Sequence, residues 1–83
     1  MFVNVMEAEY LDDYRVRLEF DNGVDKDVDL AGEIHHEHLS KLIDQEYFRR
    51  VFINPDTNTI EWPEGESFEP EFLYEIGKEL HKL

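Results

Sequence analysis

Residues Tyr14 to Phe20 and Val24 to Leu30 both alternate apolar with polar side chains, and they flank Asp21-Asn22-Gly23. Alternation with a period of two is the pattern of a half-buried strand, so the two segments form a hairpin whose register constrains everything around it. In the first segment Tyr14, Val16, Leu18 and Phe20 share one face, and Arg15, Arg17 and Glu19 share the other. In the second, Val24, Val28 and Leu30 turn inward, while Asp25, Asp27 and Asp29 turn outward; Lys26 falls on the inward set and breaks the pattern. A two-residue Asn-Gly loop would set Phe20 against Asp25 and every apolar residue against a charge. A three-residue loop with Gly23 left-handed sets Phe20 against Val24 and Val16 against Val28. The second register is expected, because a one-residue slip turns a whole apolar set to the wrong face. It also places Arg17 opposite Asp27 and Arg15 opposite Asp29, exposed pairs contributing about a few tenths of a kcal/mol each.

The rest of the chain builds outward from this hairpin. Residues Phe2 to Leu11, with β-branched Val3 and Val5, read as a preceding strand, and Asp12-Asp13 as its turn, which completes a three-stranded antiparallel meander. Leu39, Leu42 and Ile43 recur at helix spacing, with Ser40 or Asp44 able to cap. Asp44 to Arg50 reads as a separate short turn, with acids at its start and arginines at its end. Val51-Phe52-Ile53 and Thr59-Ile60-Glu61-Trp62 flank a polar loop and predict a second hairpin. The last element runs from Pro70 to about Leu83, a helix with Phe72, Leu73, Ile76, Leu80 and Leu83 on one stripe. Lys78, His81 and Lys82 stand at its negative end. Gly77 weakens such a helix by about 1 kcal/mol relative to Ala, or lets it approach the sheet closely. Between hairpin and helix, WPEGESFEP reads as a joint. Pro63 cannot donate to a ladder, Pro63-Glu64-Gly65 turns the chain, Phe68 packs as a staple and Pro70 opens the helix. Trp62 is then a core or rim residue. The expected class is α+β over residues 1–83 as a single domain. It has two layers: a small antiparallel sheet, made of the N-terminal three-stranded meander plus a second hairpin, packs against two or three short helices including the C-terminal amphipathic one.

Composition bears on function. The 83 residues carry 21 acids against 8 Lys plus Arg, a net charge of −13. Such a surface repels nucleic-acid phosphates and anionic lipid and attracts basic proteins. The expectation is a non-enzymatic module that docks on a basic partner protein, with no direct nucleic-acid binding, no membrane contact and no cofactor. Asp25, Asp27 and Asp29, repeating at strand spacing, are its candidate contact residues. The chain lacks cysteine, lacks an apolar run long enough for a bilayer, and begins MFVNVMEAEY without the basic flank of a signal peptide, so a cytoplasmic location is expected. The oligomeric state is left open, weak self-association included.

One cluster offers other chemistry. On a helix His35 and His38 share a face with Glu37 beside them, and imidazole with carboxylate suits zinc or nickel. A helix aims His36 away, however, and a closed site needs four converging ligands. An exposed polar helix start is therefore expected; the alternative is a metal-dependent regulator or small enzyme built on His35, His36 and His38. The sequence holds no Gly-rich phosphate loop, nucleophile elbow or metalloprotease helix motif, and no enzyme is expected. Arg49 and Arg50 could hold an anion, and are read as neutralising a helix end.

The opening FVNVMEAEYLDDYRVRLEFDNG, the central Asp44-Gln45-Glu46-Tyr47-Phe48 and the run NTIEWPEGESFEPEFLYE resemble the small prokaryotic proteins of the domain of unknown function 2442 family. The pattern Trp62-Pro63-x-Gly65 to Phe68-x-Pro70-x-x-Leu73 carries most of the resemblance. It implies a small two-layer α/β fold and no catalytic residue. Some members resemble the partner half of toxin–antitoxin-type gene pairs, beside a small basic protein, which implies an antitoxin-like role. Others resemble the N-terminal part of proteins that continue into a helix-turn-helix, a segment not expected here after Leu83. Two positions depart from the family pattern: Gln45 stands where Pro is usual, and Glu69 where Asp is frequent, a weaker cap. The run Glu33 to His38 has no match in it.

Overall fold

The hairpin closes in the register that the alternation requires. The computed structural model describes residues 2–80. Strand β1 covers Val5–Asp12, β2 Arg15–Phe20 and β3 Asp25–Asp29. Val16 lies opposite Val28 and Arg17 opposite Asp27, and the Phe20 N–H reaches the Val24 carbonyl at 2.9 Å. Gly23 takes a left-handed φ of 85°, which a side chain would resist. The Asn22 carboxamide oxygen accepts the Val24 N–H and closes the loop. Val16, Leu18, Phe20, Val28 and Leu30 are all buried on one face. On the other side of β2, β1 pairs antiparallel through two bulges, between Val5 and Glu7 and between Tyr10 and Asp12.

The C-terminal helix is shorter than expected. Helix α2 spans Pro70–Ile76, and a short strand, Lys78–Glu79, then pairs antiparallel with β3. We label the intervening hairpin strands β4 (Phe52–Asn54) and β5 (Thr59–Glu61), and this last strand β6. The main sheet has the order β1-β2-β3-β6, one strand more than the meander. Of the expected stripe, Leu73 is buried, Phe72 half-buried and Ile76 exposed, while Leu80 lies beyond β6. Leu83, His81 and Lys82 lie outside the described residues. The reason is Gly77. Its backbone is extended (φ −71°, ψ 150°), and a Cβ placed on it would stand 2.9 Å from Lys26 Cβ and 3.0 Å from the Leu73 carbonyl oxygen. The chain leaves the helix there and crosses onto β3 through a gap that only glycine fits.

The same contact explains why Lys26 faces inward. Its ammonium donates to the Tyr74 carbonyl at 2.5 Å and lies 3.8 Å from the centroid of the Tyr74 ring. The aliphatic stem is covered by α2, and the charge is met by a carbonyl in the last turn of the helix and an aromatic face.

A second layer packs on the apolar face of the sheet. A 3₁₀ helix, Glu37–Ile43, buries Leu39 and Leu42 and leaves Ile43 exposed. Helix α1, Gln45–Phe48, follows at once, capped by Asp44, whose carboxylate accepts the Glu46 N–H at 3.0 Å. Ser40 donates instead to the Glu37 carbonyl. β4 and β5 form the second hairpin with Ile53 opposite Ile60, as a separate sheet tied to β1 by the Val5 N–H on the Asn58 carbonyl at 2.9 Å.

The segment Trp62–Pro70 is a joint. Trp62 is fully buried; its indole N–H donates to the Phe48 carbonyl at 2.8 Å, and its ring meets Phe48 and Phe68. Gly65 supplies a left-handed turn (φ 102°), and Phe68 stacks on Phe72 of α2. The Tyr47 hydroxyl donates to Glu66 Oε1 at 2.6 Å and accepts the Glu64 N–H at 2.8 Å, so α1 clasps the turn. Burial, and then the bond to Glu66, push the Tyr47 phenol above its ordinary pKa. Glu69 makes no side-chain cap, and Pro70 opens the helix.

Gly77→Ala tests the crossing. A gain of about 1 kcal/mol would follow if residue 77 lay inside a helix. The contact with Lys26 and the Leu73 carbonyl reverses the sign, and a loss of about 1–3 kcal/mol is expected in urea unfolding. A stabilised variant would show that the helix runs on past residue 76.

Candidate functional site

The second face of the sheet is open to solvent, and strand pairing arranges its charges in rows. Across β1, β2 and β3 the first row is Glu7, Glu19 and Asp25. The second is Glu9, Arg17 and Asp27, extended by Lys78 of β6. The third is Asp12, Arg15 and Asp29. Neighbouring strands lie about 4.8 Å apart, so each row sets its side chains within reach of one another. The second row balances two acids with two cations. The first is three carboxylates in a line, around an open depression of about 390 Å³ lined by Glu7, Ala8, Glu9, Arg17, Glu19 and Asp25.

The three aspartates expected as contact residues do share this face, in different circumstances. Asp27 is held by the Arg17 guanidinium fork, at 2.8 Å and 3.3 Å, and its side chain is only 20% exposed. That hydrogen-bonded charge holds the Asp27 carboxyl below its ordinary pKa. Asp29 accepts the Ala31 N–H at 2.9 Å. Arg15 does lie across from Asp29, as the register predicts, while its guanidinium forks onto Asp12 at 2.7 Å and 3.0 Å. The bulge before Asp12 is the cause, since it brings that carboxylate directly opposite Arg15 from the other side. Asp25 and Glu9 both act on Arg17, raising its pKa after Asp27. Glu19 lies on the solvent face with Arg15 and Arg17, as the alternation of its strand requires, whereas sequence reasoning did not place Glu7 beside it. The β1–β2 register depends on bulges that no pattern announces.

Directly opposed like charges are destabilising. In the row Glu7, Glu19, Asp25 such opposition is present, with Arg17 lining the same depression and Asp25 acting on it.

The histidines are arranged differently from the sequence expectation. The 3₁₀ helix begins only at Glu37, so His35 precedes it, His36 caps it and His38 lies within it. The rings that come together are His36 and His38, stacked with centroids 6.1 Å apart, not His35 and His38. All three are exposed. Among the described residues no group of three or more His, Cys, Asp or Glu is arranged to hold a metal ion. No helix among them is long and apolar enough to cross a membrane.

The chain belongs to the family described as protein of unknown function (DUF2442), whose sequence profile matches residues 5–79. No curated protein matches it. Among solved structures it is similar, with a TM-score of 0.82 and 28% identity over 93% of its length, to a protein of Nitrosomonas europaea described as "Putative DNA Binding Protein". The chain spans half the length of that protein. This likeness corrects the expectation of no direct nucleic-acid binding. That expectation rested on net charge, a sum over the whole surface, whereas phosphate contact depends on local cations. Arg49 and Arg50 are adjacent and exposed at the end of α1, with Arg49 over the Tyr10 ring.

Two stability measurements check the charge rows. Glu19→Lys puts a cation between Glu7 and Asp25 and is expected to stabilise the fold by about 0.5–1 kcal/mol. An unchanged or lower midpoint in urea would show that the row carries no repulsion. The second concerns acid. Because the folded pKa of Asp27 is depressed, its stabilisation is complete above the unfolded value of about 3.9 and is lost as pH falls through the folded value. Asp27→Asn should therefore lose less melting temperature than the parent between neutral pH and about pH 3. Equal losses would mean the Arg17 pair does not hold in solution.

Proposed function

We propose that the protein is a non-enzymatic docking module that receives a basic protein surface on the open face of its four-stranded sheet. The row Glu7, Glu19 and Asp25 carries this reading: three strands hold three carboxylates in line beside an open depression. A basic side chain entering there meets carboxylates from three strands at once, and such charge complementarity guides encounter and register. The net charge of −13 adds long-range steering toward a positive partner. The antitoxin-like pairing implied by the family resemblance supplies a partner of that kind, a small basic protein.

A second reading has its own observation, the similarity to the Nitrosomonas europaea protein. Contact of this chain with DNA would run through Arg49 and Arg50, on the layer opposite the acidic rows. The two readings are compatible, since they use different faces.

The test is association kinetics with the paired basic protein over a range of salt, and fluorescence anisotropy with a labelled DNA duplex. Asp25→Asn with Glu19→Gln is expected to slow association several-fold while changing release little, because steering acts on the on-rate. The effect should shrink as salt rises and the screening length falls below about 8 Å. Association indifferent to salt and to both substitutions would end the docking reading. Arg49→Ala with Arg50→Ala should weaken duplex binding and leave the protein complex intact; a duplex that binds both forms equally would end the second.

A further inference from the structure

β3 is paired on both sides, but unequally. β2 matches it at five positions, Asp25 to Asp29, and β6 at two, Lys26 and Asp27. In an antiparallel ladder alternate residues send both backbone groups to the same side. The Phe20–Val24 bond directs Val24, and with it Lys26 and Val28, toward β2. Asp25, Asp27 and Asp29 therefore direct their N–H and C=O groups outward. The Leu80 N–H takes the Asp25 carbonyl at 3.1 Å, and Lys78 stands opposite Asp27. There the ladder stops, because Gly77 already belongs to the end of α2. Asp29 lies past it, beside an open depression of about 320 Å³ lined by Arg15, Asp27, Asp29, Lys78 and Leu80.

The chain's own segment shows what this edge accepts. Lys78 faces Asp27 on the solvent side, and Glu79 faces Lys26 on the other. An extended strand with cations at alternate positions is the complement of Asp25, Asp27 and Asp29, and a small or acidic residue between them is the complement of Lys26.

We propose that the outer edge of β3 is a strand-docking site for an extended basic segment of the partner protein, which pairs antiparallel along Asp25–Asp29 and displaces β6. This rests on the docking reading and names its mode. Edge addition supplies affinity through main-chain bonds and specificity through alternate side chains. The incoming strand gains the Asp29 position, which β6 does not reach, and among the described residues it displaces a short segment, paired at Lys78 and Glu79 and bonded through the Leu80 N–H. Lys26 selects against a strand whose every residue is basic.

The experiment is a nuclear magnetic resonance titration of the full chain with three amidated peptides. One alternates Lys with Thr, one has the same composition with its lysines contiguous, and one is the alternating peptide N-methylated at its pairing positions. The alternating peptide should shift the Asp27 and Asp29 amides, speed hydrogen exchange at the Lys78 and Leu80 amides, and bind about five-fold more tightly than the other two, the equivalent of one backbone hydrogen bond. Leu80→Pro removes the bond to Asp25 without altering charge, and should tighten the alternating peptide by about five-fold. Peptides that bind equally, with Leu80 exchange unchanged, overturn the edge site and leave face docking standing. No binding by any of them at low salt overturns both.

Discussion

The pairing of Val16 with Val28 decides more than a hairpin. Because side chains alternate across a strand, that one match turns Leu18 and Phe20 into the core and sends Arg17 and Asp27 to water. It also turns Lys26 under α2, where Tyr74 receives it, and Gly77 can then pass within reach of β3. A slip by one residue would expose the apolar set, bury aspartates without cations and remove the seat of the helix. The charged rows of the open face are therefore the reverse side of the same constraint that builds the core.

The parts readable from sequence are those governed by neighbours along the chain. The meander, the second hairpin and the joint from Trp62 to Pro70 depend on alternation, turn residues and prolines acting over a few positions. What was not readable depends on distant partners. The close approach of Gly77 to the sheet was readable as one alternative, but not the end of the helix there, because the strand it crosses onto lies about fifty positions away in sequence. The stripe through Leu80 satisfied helical periodicity, yet the edge of β3 claims that segment. Glu7 and Glu19 met across a bulged register, and the bulge set Asp12 against Arg15, which forks onto it while still lying opposite Asp29. The histidines were placed on a helix that begins later than their spacing suggested.

Charge shows the same division between sum and place. A total of −13 describes steering at long range but not the distribution of sites. The sheet face alone contains a balanced row, beside a row of carboxylates only. On the other layer two arginines follow α1 in a chain dominated by acids. A partner within contact distance meets these local patterns rather than the total.

The unequal pairing of β3 also orders the assembly of the molecule in time. Contacts between β1, β2 and β3 close short loops, so the meander can form early with little chain entropy lost. β6 must return across most of the polypeptide to find its place, and it returns for two paired residues. A segment held by so few ladder bonds is expected to open at lower free energy than the meander, which amide hydrogen exchange would read.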